Sequence, residues 1–378
     1  MLTSVIIFII TLLFLVLIHE LGHFLMARKF NIKVEEFGFG IPPKAWGKKV
    51  GETLVSINWL PLGGFVRLLG EDEVDKKVLE HKRSFAAQKV GKRIAVVVAG
   101  VTMNLVFAWF LFYIVLAANG FKAQFPQILE HNFVGANQTR ESIILIRAVG
   151  KNSPAEKAGI KPGDRVVAIN GEEVRKDDQI ITKTKELAGQ EITLTLSDPQ
   201  KIETRLVGIT PRKDPPPGEG AMGIALAPIE TVTLHYETLL QKVFSAQVHS
   251  WNIISYSGKI LGNLIFQSLS QKNIEPVSQT ISGPVGIISL ANAVLTSTEN
   301  PLIPYLDFVA LLSLNLAVMN LLPIPALDGG RLFFLLIEAT TRKKVHAEVE
   351  RWVHAVGMAL LLALTVLITF SDIRKFFS

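Results

Sequence analysis

Four stretches of the chain stay apolar for long enough to cross a bilayer. Leu2 to Ile18 carries no charge; after a polar interruption at His19, Glu20 and His23 the apolar character resumes and ends at Arg28. Ile94 to Asn119 is uncharged throughout, enough helix for roughly 30 Å of hydrocarbon. Phe308 to Leu322 is shorter, carries Asn315 and Asn320, and stops at Pro323-Ile-Pro325. Val353 to Phe370 is entered through Trp352. The first stretch has neither a basic n-region nor a small-residue cleavage site, so it reads as a span and not as a signal peptide. Four crossings place both termini on one side.

Between the second and third spans the pattern changes. Ser142 to Lys213 reads as one compact soluble domain. It offers a strand at 142–147 and then Ser153-Pro154, an N-cap with proline at the first helical position, closed by Gly159. A turn at 161–164 leads into the strand Arg165 to Asn170 and a tight Asn170-Gly171 turn. A polar helix near Asp178 to Leu187 and an alternating strand Glu191 to Leu196 follow. The Pro-rich run Asp214 to Gly218 reads as a stiff exit linker. Beyond it, Trp251, Ile254, Leu261, Ile265 and Leu269 recur at helical spacing, a stripe suited to a membrane surface or to packing on the soluble domain. No internal repeat is visible.

Composition narrows the class. The 378 residues are 49% hydrophobic and 19% charged, which excludes disorder. There is no cysteine, so disulfides, thiolate metal sites and cysteine nucleophiles are excluded. The net charge of +6 is too diffuse for nucleic acid, and the basic residues read as topology signals. Fourteen of them lie between Arg28 and Arg93 and none before Arg28; Arg331, Arg342, Lys343, Lys344 and Arg351 lie between the third and fourth spans. Both loops are therefore expected to be cytoplasmic. Both termini, and the stretch from about 120 to 304, then face the far side.

The strongest chemical signal is His19-Glu20-Leu21-Gly22-His23. Residues four apart share a helix face, so both imidazoles can reach one ion while Glu20 stands beside it, free to take a proton from water. Two buried histidines bonded to backbone would be the bland alternative, but ionisable groups at bilayer depth are costly and usually functional. Catalytic zinc needs a third protein ligand. Asp328, in the broken-helix run Asn320 to Gly330, is the acidic residue best placed at the edge of another span. Irregular backbone at that depth is tolerated only where it is buried in protein or lines a water-filled cavity.

Together, HExxH in the first span, N-x-x-P-x-P-x-L-D-G from Asn320 to Gly329 and the inserted domain resemble a site-2 protease, of the bacterial RseP type. The run from Val149 to Gly171 resembles a bacterial PDZ domain, which binds an extended peptide or chain terminus by strand addition. The resemblance implies His19, His23 and Asp328 as ligands of one zinc ion, Glu20 as the catalytic glutamate, and Asn320 as a holder of substrate or of the developing oxyanion. It also implies that Pro323, Pro325, Gly63 and Gly64 belong to the substrate-binding surface. The segments Val34 to Gly40 and Thr53 to Phe65 resemble the family's membrane-reentrant β-hairpin, whose strand edge would hold an unwound substrate by backbone pairing.

The expected fold is an α-helical integral membrane protein with four transmembrane helices, a membrane-associated β-hairpin and one inserted α/β PDZ-like domain. The expected division is 1–120, 121–217 for the PDZ-like domain, 218–304 for an amphipathic helical region, and 305–378. Expected partners are single-pass membrane proteins such as anti-sigma factors already cut once, with signal-peptide remnants as a further substrate class, the bilayer of a bacterial inner membrane, and a peptide terminus at the PDZ-like domain. Two departures from the resemblance stand out: Gly100-Val101-Thr102-Met103-Asn104 lacks the proline often found there, and only one PDZ-like pattern is present. The rival of another class is a membrane-anchored PDZ scaffold without catalysis. A transporter is disfavoured by the lack of inverted repeats, and the sporulation-type branch of the same proteases by the inserted domain.

Overall fold

The computed structural model describes residues 2–71, 75–197, 204–273, 283–296 and 300–377. Two compact units emerge, one formed by 1–115 with 265–378 and the other by Leu116–Leu264.

In the first unit, helices long and apolar enough to cross a membrane occupy all four expected stretches. They are α1 (Leu2–Lys29), α3 (Val90–Ala118, this unit holding it to Val115, the short α2 at Lys76–Leu79 preceding it), α9 (Leu302–Leu321) and α11 (Ala347–Phe377). The third begins at Leu302, earlier than Phe308, because Pro301 and Pro304 fall in the first turn, where a missing amide hydrogen costs nothing. On α1, Phe8, Leu15, His19 and Gly22 are buried while Ile6, Ile10 and Phe14 are exposed. Apolar side chains spaced four apart and left bare make a stripe that suits hydrocarbon. Gly22 lets α1 approach α3, since a Cβ there would overlap the Ala99 carbonyl. Across from α3, α1 meets α8 (Pro284–Thr296) and α9: Ser4 Oγ donates to Asn292 Oδ1 at 2.8 Å, and Thr11 and Tyr305 share a hydroxyl hydrogen bond of 2.7 Å.

The loop after α1 forms β1 (Val34–Val50) and β2 (Thr53–Leu68). It is more than the short hairpin read from sequence, because both strands bend back on themselves. Residues 34–39 pair antiparallel with 64–68, and 36–39 also meet Leu54 to Ile57 in ascending order. Residues 44–50 then pair with 53–58 on the far side. The run 64–68 is thus an outer strand with one edge unpaired among the described residues.

The second unit is built on a seven-stranded sheet, with β3 (Lys122–Pro126), β9 (Ile224–His235), β4 (Asn137–Val149), β5 (Arg165–Ile169), β7 (Ile192–Ser197) and β8 (Thr204–Ile209) in that order and β6 (Glu172–Glu173) beside β5. Local signals act as read. Ser153 accepts from the Glu156 amide at the start of α4 (Pro154–Lys157), and Asn170 and Gly171 both take positive φ in the β5–β6 turn. One core gathers Ile144, Ile146, Val166, Ile169, Ile180, Leu194 and Leu196, with Ile180 coming from α5 (Asp177–Glu186).

The domain boundary differs from the expected one. Strand β9 pairs with β4 along nearly its whole length, Ile224 with Val149 through to His235 with Asn137. The Pro-rich run 214–218 is therefore a loop inside the sheet's chain path and not an exit linker, and residues 224–235 of the expected helical region are strand. Helices α6 (Leu239–Val243) and α7 (Ser245–Gln271) follow. Of that region, residues 274–282 and 297–299 lie outside the described residues.

Helix α7 buries its polar face. Asn252 exchanges two 3.0 Å hydrogen bonds with the Val134 backbone, and Tyr256 donates to the Pro126 carbonyl at 2.8 Å. Of the apolar stripe's residues in this unit, Trp251 and Leu261 stay exposed and Ile254 is half-buried.

On the same buried face, His249 lies 5.4 Å from the Phe125 ring, and burial pushes its imidazole down to about 4. A histidine lowered in the folded state is protonated first in the unfolded chain, so stability falls as pH drops from about 6.5 towards 4. Acidification from pH 7 to 4.5 is expected to destabilise this unit by about 2 kcal/mol. The check is a urea midpoint followed through Trp251 fluorescence in the full chain with its other tryptophans replaced by phenylalanine. His249→Leu should flatten the dependence.

Candidate metal centre

The centre is assembled from helices far apart in sequence. His19 and His23 lie one turn apart on α1, their rings 4.8 Å between centroids and nearly perpendicular. Their Nε2 atoms are 3.2 Å apart. Asp328 opens α10 (Asp328–Thr341), and its Oδ2 stands 2.9 Å from His19 Nε2 and 3.2 Å from His23 Nε2. Three ligand atoms bound to zinc at about 2.05 Å in a tetrahedron would sit about 3.3 Å from one another. The observed spacing is close to that, and the set of two imidazoles and one carboxylate is one that zinc accepts. The residues present therefore fit the ion.

Their placement follows from the local chain. The broken-helix run turns the chain from α9 into α10 over a short distance. Ala326 takes φ +74°, and its amide donates to His354 Nδ1 on α11 at 2.9 Å. Gly329 and Gly330 lie so close under the carbonyls of Leu322 and Ile324 that a Cβ at either would overlap them. Without side chains there, the loop folds over the helix start and presents Asp328. A carboxylate in the first turn of α10 is also favoured by the helix dipole.

The imidazoles are held from behind by α3. His23 Nδ1 donates to the Val96 carbonyl at 2.9 Å, which leaves Nε2 its lone pair. Gly100, one turn further along α3, provides the space: a Cβ there would overlap His23 Nε2 and His19 Cε1. One turn beyond, the Asn104 amide lies 3.4 Å from His19 Nδ1. Val96, Gly100 and Asn104 share one helix face at i, i+4 and i+8.

Glu20 sits half-buried next to this cluster, within electrostatic reach of both histidines, Asp328 and Glu71. The outer strand of the β1–β2 sheet runs past it, and a Cβ at Gly64 would lie 3.5 Å from Glu20 Cγ. Gly63 precedes it with φ +91°. Asn320 ends α9 half-buried, and its amide makes no hydrogen bond among the described residues. Pro323 is exposed, whereas Pro325 packs closely on Gly357 of α11. Arg331, just after Asp328, pairs with Glu71, which follows the outer strand. A cavity of about 750 Å³ is lined by Glu71, Arg93, Arg331, Glu338 and His354 among others, and not by His19, His23 or Asp328.

The structure brings together His19, Glu20, His23 and Asp328, all named from the sequence, and adds neighbours to which the sequence reading gave no role: Val96, Gly100, Asn104 and His354. The one signal available was a glycine and a lone amide, four apart, in an otherwise apolar span. Tight approach and interhelical hydrogen bonds are made by such residues in bilayers.

A bundle of membrane-length helices with two imidazoles, a carboxylate and an adjacent glutamate defines a membrane metalloprotease of the site-2 type. The chain belongs to peptidase family M50, whose model matches residues 7–364. It is similar to the zinc metalloprotease RasP of Geobacillus kaustophilus, 29% identical with 100% of this chain and 99% of that protein covered. It is equally similar to the regulator of sigma-W protease RasP of Bacillus subtilis, at 28% with 99% of both chains covered. A Clostridium perfringens protein whose name assigns it provisionally to the zinc metalloproteases is 33% identical over 95% of both chains. The protein is thus a multi-pass membrane zinc metalloprotease, and zinc is its cofactor.

Proposed function

We propose that this chain hydrolyses peptide bonds within the transmembrane segments of single-pass membrane proteins, anti-sigma-factor-like substrates already shortened by a first cut among them. The observation that carries the proposal is the convergence of His19 Nε2, His23 Nε2 and Asp328 Oδ2 within 3.2 Å, beside Glu20 and the Gly64 strand.

His19, His23 and Asp328 would hold one zinc ion per chain. The chemistry such an ion supplies when bound is polarisation of the scissile carbonyl and a water acidic near neutrality. Glu20 takes the proton from the attacking water and returns it to the leaving amine. The Asn320 amide donates to the oxygen that becomes negative as the tetrahedral centre forms.

A helical substrate hides its peptide bonds in its own hydrogen bonds and must be unwound first. The unpaired edge at Gly63, Gly64 and the strand that follows offers backbone groups to an unwound stretch, next to Glu20. Pro323 and Pro325 lack amide donors and keep the run before Asp328 out of helix.

By the positions of the basic residues, the 30–93 and 331–351 loops face the cytoplasm of a bacterial cell. Both termini and the 116–264 unit then face outward. That unit is a PDZ-like peptide binder. Its open edge is the first half of β9, where, among the described residues, 224–229 pair with β4 alone.

The test is cleavage in nanodiscs of a panel of purified single-pass proteins, with fragments mapped by mass spectrometry. New termini inside apolar segments, lost on zinc chelation and restored by zinc, are expected. Cuts confined to soluble ectodomains, or unaffected by chelation, would refute the proposal. An inert outcome with every panel member, alongside a chain that holds no zinc, would favour the non-catalytic scaffold.

A further inference from the structure

We propose that Asn104 is a positioning residue for the zinc site, fixing the His19 imidazole by accepting its Nδ1 proton on Oδ1. The inference rests on the reading of His19 as a metal ligand and adds the group that makes it one.

Imidazole has a single lone pair to give when neutral, and it sits on whichever nitrogen lacks the proton. For Nε2 to face a cation, the proton must be held on Nδ1. The Val96 carbonyl does this for His23 at 2.9 Å, and being backbone it can only accept. His19 has no carbonyl in that place; it has the side chain of Asn104, 3.4 Å from Nδ1 and 1% exposed.

An amide offers a donor or an acceptor depending on its rotation about Cβ–Cγ. With Nδ2 towards His19, the amide donates to Nδ1, Nε2 carries the proton, and Asn104 Oδ1 is left buried without a partner among the described residues. Nε2 then bonds Asp328 Oδ2 and is closed to metal. With Oδ1 towards His19, Nδ1–H donates, and the Nε2 lone pair points at the spot where the ring of His23 and Asp328 converge. One side chain thus serves both states. Its backbone is pinned for the purpose: Ser313 on α9 donates to the Asn104 carbonyl at 2.8 Å, with both groups buried.

The test uses the full chain in detergent micelles, with zinc affinity measured by chelator competition and cobalt substituted as a spectroscopic probe. Asn104→Leu keeps the size but removes the acceptor, and zinc affinity is expected to fall 10–100-fold. Asn104→Asp can only accept, so affinity should stay within about threefold of wild type or rise, with the cobalt d–d bands shifted by the more basic imidazole. If both variants bind zinc as wild type does, or both lose it alike, the role is overturned. Should Asn104→Leu fail to fold, an unshifted cobalt spectrum in Asn104→Asp overturns it alone. Failure of the wild-type chain to bind zinc would instead refute the ligand reading on which the inference rests.

Discussion

Glu20→Gln is expected to lose proteolysis by at least about 10²–10⁴-fold while keeping about one zinc per chain. Glutamine has nearly the volume of glutamate, so the packing beside Gly64, where a Cβ would come within 3.5 Å of the side chain, is preserved. What disappears is the basic oxygen. The three converging ligand atoms are untouched, since Glu20 lies next to His19 in sequence but contributes none of them. Single-turnover cleavage of a membrane-embedded substrate, run beside elemental analysis, separates the two effects. Retained cleavage would remove Glu20 from its role; loss of zinc together with activity would move it among the ligands.

Asp328→Ala is expected to abolish metal binding and activity together. With two imidazoles left, zinc would have only two protein ligands where a catalytic site has three. The variant should purify with well under about 0.1 zinc per chain, with its helices intact by circular dichroism. Asp328→Asn is the closer control: it keeps the shape and a neutral oxygen, and partial zinc retention there would show that the charge, and not the packing of the helix start, is what is lost. Zinc at wild-type occupancy in Asp328→Ala would place the third ligand elsewhere.

The meeting of His19, His23 and Asp328 was legible because two local rules point the same way. Histidines four apart in a helix must share a face, and a Pro-rich break at membrane depth needs a reason, which Asp328 supplies. The four spans were legible for the same kind of reason, since a run such as Ile94 to Asn119 is decided by its own composition.

What escaped depends on contacts between distant segments. Strand β9 belongs to the sheet because Ile224 to His235 finds β4 some ninety residues earlier, and nothing local tells that strand from a chain leaving the domain. The Pro-rich run before it looked like an exit because stiff linkers and tight sheet loops use the same residues. The bends in β1 and β2 were hidden in the same way: the double pairing of residues 36–39 is a property of the sheet and not of either strand.

Helix α7 inverts the usual expectation, burying Asn252, His249 and Ser250 and leaving Trp251 bare. The Asn252 amide satisfies both backbone groups of Val134, which lies outside any strand, and a buried amide left unpaired there would be costly. Asn104 is the same lesson inside the bundle. A lone amide in an apolar span announces an interhelical bond, but only the packing of α1 on α3 says that its partner is His19.

The most direct measurement of the central claim is zinc K-edge X-ray absorption on the purified wild-type chain. One zinc per chain with two imidazole nitrogens and carboxylate oxygen at about 2.0–2.2 Å is expected. A zinc shell with fewer than two imidazoles, or a chain that takes up no zinc at all, would contradict a site made by His19, His23 and Asp328.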